Sequence, residues 1–298
     1  HLLIIGGTGF IGYYLALSAK KKGWKVSSVS LNIPKEHRYV RGVNYLKIDI
    51  TNLRQLIKRL KGSFSHVINL GGYVRHSVFS NSRNQTTKTH FIGLVNLIRI
   101  FSKKKIKKFI QIGSSAEYGD IKAPQSEKLY GFTNSTYALA KLASTQFLVE
   151  LYNAKKFPII ILRFFQVYGP KQDENRILPQ IIKGCLANKT FPVSKGNQIR
   201  DFCYIDDIVN AIFLALTSEK NDGEIFNIGS GRPIKIKQVI KQIQKMIGKG
   251  RAQFGKIKYR EDENMELYPN IKKARKKLKW SPKVNFNRGL KIVINSFR

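Results

Sequence analysis

The chain has 298 residues, 42% of them hydrophobic and 11% aromatic, so it is long enough to bury a core, and roughly two domains are expected. This composition excludes a disordered or collagen-like chain, and no apolar run approaches the roughly 18 residues that a bilayer-spanning helix needs. The formal net charge of +36 is typical of proteins with a polyanionic partner. The basic residues are spread along the whole chain, so a lysine-biased proteome or an anionic substrate explains the charge as well. We therefore expect neither nucleic acid nor a membrane as partner.

The two cysteines, Cys185 and Cys203, are too few for a disulfide framework and lack the spacing of metal ligands. We expect no metal site and a reducing, cytoplasmic location. The first apolar run is short and passes directly into a glycine-rich turn, which is not the pattern of a signal peptide.

Short runs rich in Val and Ile alternate with segments of helical period through the first part of the chain. This alternation predicts an α/β fold with a doubly wound parallel sheet. The predicted strands are residues 2–5, 25–29, 45–48, 66–70, 108–112 and 158–164. The predicted helices between them are residues 11–22, 53–60, 88–102 and 137–155.

After Pro170 the polar connections lengthen, and helical periods recur at residues 177–187 and 236–247. We expect one domain over residues 1–168 and a smaller C-terminal domain over residues 169–298. A strand-then-helix pattern resumes inside the second part, so the chain is expected to return to the first domain at about residues 202–228.

Residues 6–12 (GGTGFIG) join the end of the first predicted strand to the start of a helix. Gly6 or its neighbour allows the tight turn, Gly9 lets a pyrophosphate approach the backbone, and Gly12 permits close packing of helix on strand. The N–H groups and the positive dipole end at the helix start then receive the phosphates. This turn predicts a dinucleotide-binding site.

The choice between NAD and NADP is expected at the end of the second predicted strand, where an acidic residue would bond the ribose 2′-hydroxyl. Ser30 stands at that position, and Asn32 follows it without a carboxylate. Lys35, His37 and Arg38 come next and would attract a 2′-phosphate, although a solvated loop explains them too. We therefore favour NADP over NAD.

Tyr137 and Lys141 are four residues apart at the start of a predicted helix, so they share one face. They follow a strand that ends in residues 113–119 (GSSAEYG), and the carboxyl ends of parallel strands converge on the crevice beside the glycine turn. Hydride transfer at a carbinol carbon also moves a proton, and a tyrosine does this near neutral pH only beside a cation. Lys141 would be that cation, and Ser114 would hold the substrate oxygen. The alternative is a structural role for these side chains.

Taken together, these motifs resemble the extended short-chain dehydrogenase/reductase family, the NAD-dependent epimerase/dehydratase group that acts on nucleotide sugars. The resemblance extends over residues 162–170 (LRFFQVYGP), 200–207 (RDFCYIDD), 226–231 (FNIGSG) and 278–282 (LKWSP). It implies a Rossmann domain with a smaller C-terminal substrate domain, NADP or NAD as cofactor, a nucleotide-sugar substrate, and a homodimer formed through two helices per subunit.

The resemblance also implies the site. Ser114, rather than Ser115, is the catalytic serine because it lies four residues before Tyr118. The catalytic set is Ser114, Tyr137 and Lys141. The implied substrate-binding residues are Ser115, Gln166 and Arg200. The expected cofactor-binding residues are Gly6, Gly9, Phe10, Ile11, Gly12, Ser30, Asn32, Asp49, Ile50, Leu70, Gly71, Gly72, Tyr137, Lys141, Phe164 and Val167. For Arg200 the alternative is a structural ion pair with Asp201 or Asp206.

Three places depart from the family pattern: residues 69–72 (NLGG) replace His-Leu-Ala-Ala, and His90 and Gln166 each replace an asparagine. The resemblance implies that dehydratases of the group carry an Asp-Glu or Ser-Glu pair directly after the catalytic residue, whereas this chain has Ser115 and Ala116 there. Glu117 comes one residue later and is expected to point the opposite way. We therefore expect reduction of an NDP-4-keto-6-deoxy sugar, with 4-epimerisation as the alternative. A non-catalytic dinucleotide- or RNA-binding relative is the alternative from another class.

Overall fold

The computed structural model describes residues 1–72, 82–260 and 263–298, and for residues 82–84 the backbone alone. The strands are β1 (Leu2–Ile5), β2 (Val26–Ser30), β3 (Val43–Lys47), β4 (His66–Asn69), β5 (Lys108–Ser114), β6 (Ile159–Phe164), β7 (Gln166–Tyr168), β8 (Thr190–Val193), β9 (Ile199–Tyr204), β10 (Ile225–Ile228), β11 (Pro233–Lys235), β12 (Arg251–Phe254) and β13 (Glu266–Leu267). The helices are α1 (Phe10–Lys21), α2 (Leu53–Arg59), α3 (Ser82–Thr87), α4 (Gly93–Phe101), α5 (Thr136–Lys155), α6 (Ile177–Leu186), α7 (Ile205–Leu216), α8 (Ile236–Ile247), α9 (Lys272–Lys277) and α10 (Phe286–Asn295). A π-helical segment, Lys88–Ile92, joins α3 to α4.

Seven strands form one parallel sheet in the order β10-β6-β5-β4-β1-β2-β3. The chain builds outward from β1 to β3, then crosses back to β4 and builds in the other direction. The strand order therefore reverses between β1 and β4, and a crevice opens at the carboxyl ends of these two strands. This topology confirms the predicted doubly wound α/β fold.

Both faces of the large sheet are covered, as the unbroken apolar strands predict. In β1, Leu2 and Ile4 point into a core that contains the buried face of α1 and α7. Leu3 and Ile5 point to the other face, into a core built from α2, α4 and α5. Because side chains alternate along a strand, this one four-residue strand contributes to both cores.

The predicted elements of the first part of the chain are present, and every predicted strand end lies within two residues of the observed one. One helix differs. The sequence predicts a single helix over residues 88–102, but the described chain is already helical from Ser82 and passes through the π-helical segment before α4 begins. A π-helical turn leaves no mark in the apolar periodicity, which is why the pattern cannot show it.

The second part of the chain forms a smaller sheet, in which β9 pairs with β7, β11 and β13. Strands β8 and β12 pair with each other in a separate two-stranded sheet. The stretch at about residues 202–228, where the chain is expected to return to the first domain, contributes to both sheets. Strand β9 opens that stretch but belongs to the smaller sheet, whereas β10 at its end pairs with β6 of the large sheet. Helix α7, between them, packs against α1. The division of the chain at residue 168 stays a prediction.

Among the described helices, none combines the length and apolar character that crossing a bilayer requires.

Asp207 on α7 forms hydrogen bonds with the segment that precedes α10. Its carboxylate accepts hydrogen bonds from the backbone N–H groups of Lys283 and Val284, each at 2.9 Å. Its carbonyl accepts from the indole N–H of Trp280, also at 2.9 Å, and that ring is completely buried. A carboxylate at this position therefore holds the last turn before α10 against α7.

Replacing this carboxylate tests the connection. We expect Asp207→Ala to lower the free energy of unfolding by about 2 to 4 kcal/mol, because two hydrogen bonds to a charged group are lost. Chemical denaturation measures the change. Asp206→Ala is the matched control, since Asp206 is exposed, and it should cost less than about 1 kcal/mol. If both variants lost the same free energy of unfolding, Asp207 would not have this role in holding the segment before α10.

Candidate active site

A cavity of 1380 Å³ opens at the carboxyl ends of the parallel strands and extends to the smaller sheet. Its volume exceeds the roughly 300–1,000 Å³ of a site for one drug-sized ligand, so it has room for a dinucleotide and a second molecule. The predicted site residues that line it are Gly6, Gly9, Phe10, Ile11, Gly12, Ser30, Asn32, Asp49, Ile50, Leu70, Gly71, Gly72, Ser114, Ser115, Tyr137, Lys141, Phe164, Gln166, Val167 and Arg200. The fold thus brings the whole predicted set to one cavity, while the role of each residue stays a prediction.

The glycine turn fits a dinucleotide. Gly6 has a φ of +80°, and a Cβ on Gly12 would lie 2.5 Å from the Gly6 carbonyl oxygen, so neither position accepts a side chain without strain. Gly9 differs, because its backbone is extended and a Cβ there would be 3.4 Å from the nearest atom. Gly9 is also the N-cap of α1 and has no side chain to bond the first helical N–H groups. These groups and the helix dipole suit a pyrophosphate.

The end of β2 carries no carboxylate toward the cavity. The Ser30 hydroxyl accepts a hydrogen bond from the backbone N–H of Thr8 at 3.4 Å, and exposed Lys35 lines the cavity nearby. The expectation that Arg38 attracts a 2′-phosphate needs correction. Its guanidinium is buried and donates to the carbonyl of Lys171 at 2.5 Å and to the carboxylate of Asp173 at 2.7 Å.

The turn after β3 is held by Asp49. Its carboxylate accepts from both the backbone N–H and the hydroxyl of Thr51, each at 2.8 Å. The carbonyl of Ile50 accepts from the side-chain amide of Asn96 at 3.0 Å. Asp49 and Ile50, two of the expected cofactor-binding residues, are therefore held in place by their own neighbours.

Ser114, Tyr137 and Lys141 meet where β5 ends beside the start of α5. Ser135 caps α5 by accepting from the backbone N–H of Ala138 at 3.2 Å, which places Tyr137 in the first turn of the helix. The Tyr137 phenol is hydrogen-bonded to the Ser114 side chain. One helical turn on, the ammonium of Lys141 donates to the carbonyl of Ile112 at 2.8 Å.

Burial shifts the acid–base properties of this group. It raises the pKa of Tyr137, and the hydrogen bond with Ser114 acts in the opposite direction. Burial lowers the pKa of Lys141 to about 8, with the carboxylate of Glu117 opposing that shift. The lysine charge therefore changes close to neutral pH, where a proton-transfer group is most useful.

Two departures from the family pattern form one steric unit. Gly72 has a φ of +119°, and a Cβ on it would lie 2.0 Å from Cε1 of His90. The His90 ring stands edge-on to the Tyr137 ring, with 5.1 Å between their centroids. A histidine at position 90 thus requires glycine at position 72, and the imidazole forms one wall beside the phenol.

Arg200 lines the opposite part of the cavity, and its structural partner is one that the sequence reading missed. The guanidinium forms an ion pair with Glu263, so the alternative pair with Asp201 or Asp206 is wrong. Asp201 instead accepts from the backbone N–H groups of Ser230 and Arg232 at 2.5 and 3.0 Å, which holds the turn after β10.

Several further residues, which the sequence alone did not single out, also line the cavity. They are Arg176, Gln198, Lys258, Tyr259, Arg260 and Glu263. Glu263 bonds Arg260 at 3.1 Å as well as pairing with Arg200, so one carboxylate aligns two guanidinium groups. These residues follow no local motif, and only the tertiary fold brings them together.

Within the part of the chain that the structure describes, no three His, Cys, Asp or Glu side chains are grouped so that they could hold a metal ion. Both cysteines are buried free thiols.

Known proteins share this fold and cover the chain along nearly its whole length. A UDP-glucuronate 4-epimerase of Thermodesulfobacterium geofontis is 28% identical over 99% of this chain and 95% of its own. The structure of a UDP-glucose 4-epimerase from Thermotoga maritima, with UDP-glucose, is 27% identical and superposes with a TM-score of 0.89 over 100% of this chain and 98% of its own. A mutant UDP-glucuronic acid 4-epimerase from Bacillus cereus, in complex with UDP-4-deoxy-4-fluoro-glucuronic acid and NAD, is 28% identical with a TM-score of 0.89, covering 99% of this chain and 98% of its own.

The doubly wound sheet, the glycine turn and the Tyr-Lys helix define a dinucleotide-dependent enzyme of the extended short-chain dehydrogenase/reductase type. The sequence profile of the NAD dependent epimerase/dehydratase family matches residues 2–229, and the chain belongs to that family. This confirms the resemblance that the motifs indicated, the prediction that the chain is an enzyme, and its use of NAD or NADP.

The glycine turn yields a test that separates ligand binding from folding. We expect Gly9→Ala to raise the Kd for the dinucleotide at least tenfold, about 1.4 kcal/mol, with an unchanged Tm, because the methyl group meets the pyrophosphate rather than the protein. Gly12→Ala should instead lower the Tm, because its Cβ would collide with the backbone of Gly6 and Gly7. Calorimetry gives both quantities. A Gly9→Ala variant that binds like the wild type would remove the pyrophosphate from this turn.

Proposed function

We propose that the protein transfers hydride at carbon 4 of a nucleotide sugar, and that it works as an NADPH-dependent reductase of an NDP-4-keto-6-deoxy sugar. One observation carries the proposal. Ser114, Tyr137 and Lys141 line the same cavity as the glycine turn, so a proton-transfer group and a dinucleotide site face one space. The names of related enzymes support it, since they include 4-epimerases of UDP-glucose and UDP-glucuronate.

The chemistry follows from the positions of the three side chains. When bound, the dinucleotide supplies the hydride. The Tyr137 phenol donates its proton to the carbonyl oxygen at carbon 4, which becomes the hydroxyl of the product, and solvent replaces that proton. Ser114 donates a hydrogen bond to the same oxygen as negative charge develops on it. Lys141 stabilises the phenolate while its ammonium is charged, below about pH 8.

Elimination of water fits the site less well. Ser115 and Ala116 supply neither acid nor base at the positions where the resemblance places the dehydratase pair. The nearest carboxylate, on Glu117, is 1% exposed, and both of its oxygens accept hydrogen bonds from other parts of the protein. A carboxylate buried and bonded in this way is not exposed to a substrate.

We assign the nucleotide diphosphate to the end of the cavity that carries Arg200 and Arg260. Guanidinium groups bind phosphate oxygens through paired N–H donors, and Glu263 fixes both of them from behind. Gln166 and Ser115 line the same cavity, and we assign them to the sugar.

The cofactor preference follows from the end of β2. A serine at position 30 is compatible with either a 2′-hydroxyl or a 2′-phosphate on the ribose. The charge of Lys35, which lines the cavity, favours the 2′-phosphate of NADP. Arg38 adds less than the sequence suggested, because Asp173 already compensates its charge.

Position 30 supplies the test of this preference. Ser30→Asp should shift the ratio of the Kd values toward NAD by about tenfold or more, because a carboxylate repels a 2′-phosphate and accepts from a 2′-hydroxyl. Ser30→Asn is the uncharged control and should leave the ratio near that of the wild type. If Ser30→Asp kept the wild-type ratio, Ser30 would have no part in cofactor choice.

A second candidate function is 4-epimerisation with retained NAD, and the epimerases among the relatives favour it. Incubation with UDP-glucose, UDP-glucuronate and dTDP-4-keto-6-deoxyglucose, each with and without NADPH, separates the candidates. A reductase consumes one NADPH for each product and releases its dinucleotide. An epimerase interconverts a UDP-sugar without added cofactor and purifies with bound NAD. Turnover of none of these, together with salt-dependent RNA binding, would favour the non-catalytic alternative.

We also propose a homodimer through α4 and α5. Exposed apolar side chains on and next to these helices support it: Leu139 on α5 is 57% exposed and Ile92, directly before α4, is 42% exposed. Sedimentation equilibrium gives the mass in solution, and a monomer at all concentrations would contradict this assembly.

The catalytic assignment is tested at Tyr137. Tyr137→Phe should lower kcat about 10²- to 10⁴-fold while the Kd for the dinucleotide stays unchanged, because only the transferable proton is removed. Tyr152→Phe, toward the far end of the same helix, is the matched control and should keep the wild-type kcat. A Tyr137→Phe variant with full turnover would show that another group moves the proton.

A further inference from the structure

A buried ion pair lies directly behind the three proposed catalytic side chains. The Glu117 carboxylate accepts from Nε of Arg163 at 2.8 Å, and both residues are 1% exposed. The guanidinium also stacks on the ring of Tyr118, with 4.7 Å from its central carbon to the ring centroid. Charged groups this deeply buried are costly unless they are fully paired, so the arrangement needs a reason beyond packing.

The hydrogen bonds of Glu117 reach the elements that carry the catalytic groups. One carboxylate oxygen accepts from the backbone N–H of Ser114 at 2.7 Å, which closes a capping box around the 3₁₀ turn Ser115–Tyr118. The other oxygen accepts from the hydroxyl of Thr145 at 2.8 Å. Glu117 therefore ties the serine at the end of β5 to helix α5.

Thr145 shares a helix face with the catalytic residues. Tyr137, Lys141 and Thr145 follow one another at intervals of four residues, so they lie one above the other along α5. Fixing Thr145 through Glu117 thus sets the distance between this face and Ser114. Gly113 makes the contact sterically feasible, because a Cβ there would lie 2.5 Å from a Glu117 oxygen.

The negative charge of Glu117 also acts on the proton-transfer groups. It raises the pKa of Lys141 against the effect of burial, and it raises the pKa of Tyr137. Among the described residues, Arg176 also faces the phenol, and its charge lowers the pKa of Tyr137. The His90 ring packs against the Tyr137 ring.

We propose that Glu117 is a positioning residue for the reaction: it aligns Ser114 with the Tyr137 and Lys141 face of α5. The inference rests on the proposed function, because it assigns Glu117 a part in the same proton transfer.

A purely structural salt bridge is the competing explanation, and a single substitution does not separate the two. Glu117→Gln alone leaves Arg163 buried without its counter-charge, so a loss of Tm is expected under either explanation. The double variant Glu117→Gln with Arg163→Met removes both charges. It keeps an oxygen for the Ser114 N–H and a polar group for the Thr145 hydroxyl.

The test is the pH profile of kcat/KM, recorded with whichever of the three nucleotide sugars above the wild type turns over. In the Glu117→Gln, Arg163→Met variant, the limb at which activity falls with rising pH should move to lower pH by about half a unit or more, because the neighbouring negative charge no longer favours the protonated forms. In Glu117→Ala with Arg163→Met, which also removes the bonds to Ser114 and Thr145, kcat should fall by about 10²-fold with little change in KM.

The matched control is an ion pair at the opposite end of β5, between Lys108 and Asp222. Lys108→Met with Asp222→Asn should change the Tm and leave the pH profile in place. If both Glu117 double variants, measured well below their Tm, showed the wild-type profile and kcat, Glu117 would be structural only. The Tyr137→Phe variant distinguishes a failure of this inference from a failure of the proposed function. If Tyr137→Phe is inactive and the Glu117 variants behave like the wild type, only the positioning role is contradicted. If Tyr137→Phe is fully active, the proposed function is contradicted.

Discussion

The close approach of α1 to β1 at the glycine turn is the constraint on which the rest of the site depends. A Cβ on Gly12 would lie 2.5 Å from both the Gly6 carbonyl oxygen and Cα of Gly7, so only glycine lets the helix begin so close to the strand. This contact directs the start of α1, with its unbonded N–H groups and positive dipole end, toward the crevice where the strand order reverses. The dinucleotide site is a consequence of that packing.

The two proton-transfer side chains are buried at the edge of this cavity. Tyr137 and Lys141 are buried where β5 and α5 meet, so each depends on neighbours rather than on water for its charge state. The Ser114 hydrogen bond, the Ile112 carbonyl and the Glu117 carboxylate take the place of that water. The site thus resembles other preorganised active centres, in which fixed dipoles meet the charge that develops during the reaction.

The sequence was sufficient for everything encoded locally. Apolar runs, helical spacing and the glycine turn placed the strands of the large sheet, and the spacing of Tyr137 and Lys141 placed them on one helix face. Interactions between residues far apart in the chain could not be predicted from the sequence. The pairing of Arg200 with Glu263 joins residues 63 positions apart, and the pair of Arg38 with Asp173 spans 135 positions. The fit of His90 against Gly72 likewise depends on a π-helical turn that has no periodic signature. For Glu117 the alternation rule does not apply, because residues 115–118 form a 3₁₀ turn rather than an extended chain. Its partners lie on β5, β6 and α5 and were not visible in the pattern.

The most direct measurement of the central claim is a crystal structure of the protein with NADP and a nucleotide sugar. The account predicts that the pyrophosphate of NADP lies at the start of α1 and the diphosphate of the sugar at Arg200. It also predicts that the oxygen on carbon 4 lies within about 3 Å of both the Tyr137 phenol and the Ser114 hydroxyl. A sugar whose carbon 4 faces away from Tyr137, or whose diphosphate binds apart from Arg200, would contradict it.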